Sequence, residues 1–148
     1  MRLTAFTDYG LRALMRIASD PGRGFSTAEL ADEFGLSRHH LAKIVQRLVQ
    51  GGILSTRRGG GGGATLAQPA GQIRLGMVVR LLEAGGTGLV DCLTEGGPVC
   101  TVDGRCGLKS RLRRAETAFL AELDRSTLAE IALRPMEEVM PCPTGPRD

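Results

Sequence analysis

The chain contains no tryptophan, and aromatic residues are only 3% of it. Most of its core must therefore come from Leu, Val, Ile and Ala, within a hydrophobic content of 42%. That mixture favours helices over strands. No apolar run approaches the roughly 18 residues that a membrane-spanning helix needs. The opening "MRLTAFTDYGLR" carries an aspartate and lacks the uninterrupted apolar stretch of a secretory leader. A cytoplasmic location is the expectation, and structural disulfides are not expected there. Paired C-x2-C spacings, the usual mark of structural zinc, are absent. Histidine is nearly absent too: the only two, His39 and His40, are adjacent. No base then stands near a cysteine in sequence to make it a nucleophile, and an enzyme is not expected. The glycine run after Arg58 lacks the lysine and hydroxyl residue of a phosphate-binding loop.

A length of 148 residues suits one compact domain, or a small domain with an appended oligomerisation element. The net charge is +3, but it is uneven. Residues 1–84 hold eleven Lys or Arg against six Asp or Glu, and residues 85–148 hold eight against ten. A basic first part joined to a mildly acidic second part is compatible with nucleic-acid binding at one end.

Thr7 is placed to cap a helix starting at Asp8, with Leu11, Leu14, Met15 and Ala18 as its apolar stripe and "SDPGRG" as its end. Ser26 followed by Glu29 reads as a capping box for a short helix with Leu30, Ala31 and Phe34 on its apolar face. Gly35 can stop that helix, and Ser37 can cap the next, which would bury Leu41, Ile44, Val45 and Leu48 before Gly51 and Gly52 end it. Two short helices around a glycine-containing turn form a helix-turn-helix. The second would be the recognition helix, with Ser37, Arg38, His39, His40, Lys43, Gln46 and Arg47 available to bases or phosphates. Ile53–Arg57 and Ala64–Ala67 are short enough for a β-hairpin wing, whose Arg57 and Arg58 can reach phosphates or a minor groove. Ile73, Met77, Val78, Leu81 and Leu82 predict a helix of about ten residues packed on this unit. A long helix is predicted from about Gly107 to Asp124, with Leu108, Leu112, Ala115, Phe119 and Leu123 as a stripe. Its natural partner is the same helix of a second subunit. Ser126 or Thr127 would cap a short terminal helix through Leu133.

Cys92, Cys100 and Cys106 stand within fifteen residues, separated by seven and five, in a loop containing Gly96, Gly97, Pro98 and Gly104. Widely spaced thiolates suit an iron–sulfur cluster better than a single zinc ion. A four-iron cluster wants a fourth ligand. Cys142 is one candidate, and Asp8, Asp91, Glu95 and Asp103 are oxygen alternatives. An oxygen-ligated iron is more open to nitric oxide or dioxygen, which argues for a sensor. A thiol redox switch using two of the three cysteines is the competing reading.

"LTAFTDYGLRALMRIAS", "LSRHHLAKIVQRLVQGGIL", the "RRGGGGG" wing, "QIRLGMVVRLLE" and the three-cysteine loop resemble the NsrR family. These are nitric-oxide-sensing iron–sulfur repressors of the winged-helix superfamily that also holds IscR and RirA. The resemblance covers about residues 1–133. It implies a homodimer with one cluster per subunit, 4Fe-4S or else 2Fe-2S, held by Cys92, Cys100 and Cys106 together with Asp8 of the partner subunit. It implies that Arg12 couples the cluster site to the first helix. It also implies that nitrosylation or loss of the cluster releases double-stranded promoter DNA. Lys109 stands where IscR-like proteins carry a histidine, which disfavours their ligand set. Gly76 replaces an acidic residue common in the corresponding helix, and the first cysteine gap is longer than in many relatives.

The expected fold is therefore mainly α. Residues 1–84 form a winged helix-turn-helix domain with a small β-hairpin wing, and residues 85–106 a cysteine-bearing loop. Residues 107–133 form a long dimerisation helix with a short terminal one, and residues 134–148 a disordered tail. The expected function is a dimeric DNA-binding repressor that answers to nitric oxide. The alternative is an iron-responsive or cysteine-redox-switched regulator of the same fold.

Overall fold

The structure, a computed structural model, describes residues 3–59, 62–85, 89–94 and 96–134. The side chain of Asp91 lies outside this description, as do Glu95, Cys142, the tail from 135 and the tip glycines 60 and 61. The architecture is mainly α with a two-stranded wing: α1 Ala5–Ala18, α2 Thr27–Phe34, α3 Arg38–Gln50, β1 Leu54–Arg57, β2 Gly63–Leu66, α4 Leu75–Glu83, α5 Gly107–Leu123 and α6 Leu128–Ile131. Two single 3-10 turns, Ala70–Gln72 and Asp91–Leu93, complete it.

The first helix begins one turn earlier than the sequence suggests. Its cap is Thr4, whose hydroxyl accepts from the Thr7 backbone N–H, while Thr7 itself is buried. Both threonines have capping chemistry, and a tertiary contact selects between them. The Thr4 backbone N–H and hydroxyl both donate to Glu83 Oε1, at 2.9 and 3.0 Å, which ties the start of α1 to the end of α4. Asp8 remains in the first turn, where the helix dipole favours a carboxylate.

The helix-turn-helix follows its capping signals closely. Ser26 accepts from Glu29 N, Gly35 ends α2 at φ +64, and Ser37 accepts from His40 N. The Glu29 carboxylate does not complete the box; it pairs with Arg23. Leu41, Ile44 and Leu48 of α3 meet Leu14 and Ile17 of α1 and Leu30 of α2 in one core with no exposed surface. Burying each of these side chains stabilises the fold by about 1.5–3 kcal/mol before entropy is charged.

The wing pairs Leu54 with Leu66 and Arg57 with Gly63, antiparallel. A bridge from Phe25 to Ala64 fastens it to the domain through hydrogen bonds of 3.0 and 2.7 Å. Phe25 is fully buried, and the guanidinium groups of Arg16 and Arg23 each lie 4.7 Å from its ring centroid. Cation–π attraction from two partly exposed guanidinium groups adds modestly to what burial of this ring contributes.

The helix α5 differs from the rest: no residue of it is buried within the single chain. Its end crosses α4 at Gly76, where a Cβ would lie 2.4 Å from both the Leu120 carbonyl oxygen and Asp124 Oδ1. Glycine at 76 is thus a condition of that crossing. Arg80 adds a 2.5 Å ion pair to Asp124. Beyond the crossing, Thr127 and Glu130 form a capping box and Leu128 inserts fully into the core. The Leu128 backbone N–H donates to the Ile73 carbonyl at 2.9 Å.

Candidate nucleic-acid interface and cysteine segment

The sequence nominated the outward face of α3 and the wing for DNA. Arg38, His39, Lys43 and Gln46 are exposed on α3, and Arg57 and Arg58 are exposed on the wing. Arg38 makes only a 3.6 Å ion pair with Asp32, with both side chains about 70% exposed. Such a pair contributes little in water and gives way readily to a phosphate. Ser37 is occupied in capping α3. These residues present a basic surface on a helix of the length that fits a major groove.

Two of the nominated residues turn inward instead. His40 is half-buried, with its ring 6.1 Å from the centroids of both Phe6 and Tyr9 of α1, edge to face in each case. Its Nε2 is buried without a hydrogen-bond partner among the described residues. Arg47 donates from Nε to the Leu81 carbonyl at 3.1 Å and from Nη2 to the Ala84 carbonyl at 3.3 Å. It caps the carbonyl end of α4, where a cation is favoured. Helical phase explains both: positions 40, 44 and 47 follow i, i+4, i+7 around the buried Ile44.

Cys92 sits in the 3-10 turn Asp91–Leu93, Cys100 in the loop, and Cys106 at the cap position of α5. All three are free and half-buried. The loop is held to α5 by Lys109, whose Nζ lies 2.9 Å from Asp103 Oδ1. Hydrogen bonding and charge from Lys109, with Arg113 adding to them, hold the Asp103 carboxyl below the usual carboxylate range. Asp103 is therefore engaged in an ion pair, which weakens its candidacy as an oxygen ligand. Asp91 and Glu95 as ligands lie outside the described side chains.

Asp8 is also engaged. Arg12 grips it with two contacts, Nε to Oδ1 and Nη2 to Oδ2, each at 3.0 Å. The same pairing raises the Arg12 guanidinium above its ordinary value. The link between Asp8 and Arg12 is thus direct and bidentate, a geometry that orients the carboxylate as well as neutralising it.

Three thiols and a carboxylate are chemically suited to iron. Their arrangement in one chain does not suit it: among the described residues, no three His, Cys, Asp or Glu gather closely enough to hold a metal ion. The cysteines are spread over a turn, a loop and a helix start, and Asp8 belongs to α1. Among the described residues, no helix is long and apolar enough to cross a membrane.

Sequence reasoning missed three features: Glu83 on Thr4, Arg47 on α4, and the Asp103–Lys109 clasp. Only the 40, 44, 47 spacing was available to signal Arg47. The other two join residues whose approach depends on how helices pack.

A family model described as "Rrf2: Iron-dependent Transcriptional regulator" matches residues 3–134. Among solved structures, the chain is similar to CymR (YrzC), the global cysteine regulator of B. subtilis, at 27% identity and a TM-score of 0.70. That match covers 89% of this chain and 96% of the other. It is likewise similar to the oxidised form of Staphylococcus aureus CymR, at 28% identity, TM-score 0.68, and coverage of 91% and 98%. The T. potens IscR structure shares the fold at 23% identity and a TM-score of 0.68, over 88% of this chain and 85% of that one.

Proposed function

The chain belongs to the Rrf2 family of transcriptional regulators, and from that premise we propose that its grip on promoter DNA is set by the state of Cys92, Cys100 and Cys106, through iron supply or thiol oxidation. One observation carries this reading. The three free, half-buried cysteines all lie on the single segment that joins α4, packed on the recognition helix, to α5, which has no buried residue in one chain. A second copy covers α5, making a homodimer that sets the spacing of two recognition helices. Any change that reshapes the segment shifts α5 against α4 and with it that spacing. Misplacing the contacts of a half-site by enough to lose about 1.4 kcal/mol already weakens binding tenfold.

DNA engagement itself falls to Arg38, His39, Lys43, Arg57 and Arg58. The wing arginines supply sequence-independent phosphate contacts, and the α3 side chains reach base edges. A family member with an oxidised-form structure favours the thiol arm of this reading, and the family description favours the iron arm. Nitric oxide is the effector implied by the resemblance of the "TDYG" and cysteine-loop motifs, and it would act on the same segment.

The test is a titration of operator DNA, selected from genomic fragments, with protein prepared anaerobically. Iron-loaded, iron-free, diamide-oxidised and nitric-oxide-treated samples are compared. The reading expects at least tenfold differences among these states, abolished together in a variant lacking all three cysteines. Equal affinity in all four states refutes it.

A further inference from the structure

The recognition helix is fastened at one end to α1 and at the other to the end of α4. At its start, His40 wedges its ring edge-to-face against Phe6 and Tyr9, 6.1 Å from each centroid. Those two residues bracket Asp8, and Arg12, which holds Asp8, also lies 5.8 Å from the Tyr9 ring centroid. At its other end, Arg47 holds the Leu81 and Ala84 carbonyls, where the chain leaves α4 toward the cysteine segment. Beside that contact, a cleft of about 500 Å³ separates α3 from the ends of α1 and α4, with Lys43, Gln46 and Gln50 on its α3 wall. The helix therefore has open space on the flank that Arg47 spans.

We propose that His40 and Arg47 are positioning residues, which carry displacements of α1 and of the cysteine segment to the DNA-reading face and do not themselves touch DNA. This rests on the proposed cysteine-governed regulation. His40 suits the role because its ring packs edge-to-face on both Phe6 and Tyr9, so a shift of α1 presses directly on the start of α3. Arg47 suits it because a planar fork across two carbonyls transmits direction, which a single ammonium cannot do.

Conservative variants separate this role from DNA contact. As a phosphate contact, Arg47 would be replaceable by lysine; as a fork on two carbonyls, it would not. Arg47→Lys is expected to keep the salt dependence of DNA binding while the affinity ratio between iron-loaded and iron-free protein falls at least about fivefold, a typical scale for coupling between sites. Lys43→Ala, as a control, is expected to lower the salt slope by about one. His40→Phe keeps the ring edge and is expected to preserve folding, operator preference and the ratio, whereas His40→Ala loses the ratio. Thermal unfolding of each variant confirms that it is folded.

Three results overturn the inference: a slope lowered by about one in Arg47→Ala, an unchanged ratio in Arg47→Lys, or lost operator preference in His40→Phe. A wild-type protein with equal affinities in all states refutes the regulatory reading instead. The Arg47 salt slope still decides in that case whether this residue touches phosphate.

Discussion

Replacing Gly76 by alanine tests the crossing of α4 and α5 with a sign that separates two kinds of reasoning. In an ordinary helix interior, Gly→Ala stabilises by about 1 kcal/mol, because alanine restricts the unfolded chain and glycine does not. Here the new methyl would sit 2.4 Å from the Leu120 carbonyl oxygen and 2.4 Å from Asp124 Oδ1. Ordinary contact needs roughly 1 Å more. The Asp124 side chain can swing away only by giving up its ion pair with Arg80. The Leu120 carbonyl can retreat only if α5 moves with it. Overpacking of this kind costs about 1–3 kcal/mol, and a backbone obstacle places it toward the upper end. The net expectation, after the helical gain, is a loss of about 1–2 kcal/mol. For a chain of this size that lowers the thermal midpoint by roughly 2–8 °C. Differential scanning calorimetry of the purified protein measures it directly. A midpoint that rises would mean that α5 does not pass this close to α4, and the proposed lever from the cysteine segment would lose its fulcrum. Gly76→Asp adds a carboxylate beside Asp124 and is expected to cost more than alanine.

Replacing Arg57 and Arg58 together by alanine is expected to weaken binding to all DNA sequences alike and to lower the salt slope by about two; an unchanged slope would remove the wing from the interface. Cys100→Ala is expected to abolish the difference in DNA affinity between iron-loaded and iron-free preparations and to cut bound iron, measured by elemental analysis after anaerobic reconstitution. The Asp103–Lys109 clasp carries a pH signature. Because the folded Asp103 carboxyl lies below its ordinary value, its contribution is complete above the unfolded value of about 3.9 and fades as pH falls through the folded value. Protection of residues 100–109 against hydrogen exchange, taken relative to the intrinsic rate at each pH, should therefore fall below about pH 4 in the wild type. In Asp103→Asn the same exchange should show no such acid step.

Much of the fold was legible because its signals are local. Ser26, Gly35 and Ser37 act within one turn of chain, and the structure shows each in the role its chemistry suggests. The stripe of Leu41, Ile44 and Leu48 also needs only the helical repeat to be read. The cap of α1 was misplaced at Thr7 because two threonines three residues apart offer the same local chemistry. Glu83, 79 residues away from Thr4, decides between them. The cysteine segment was legible as chemistry but not as geometry: its spacing names thiolate donors, while their convergence depends on elements from different parts of the fold.

By itself, the amino-acid order determined the helices, the caps of α2 and α3, the wing and the identity of the reactive groups, since these follow from interactions a few residues long. Tertiary packing alone decided which polar side chains face outward. His40 and Arg47 share the recognition helix with Arg38 and Lys43, yet they are turned to α1 and α4 by the rotation at which α3 docks. That rotation is set by the summed burial of Leu41, Ile44 and Leu48 against partners distant in sequence, a quantity no short window of residues contains.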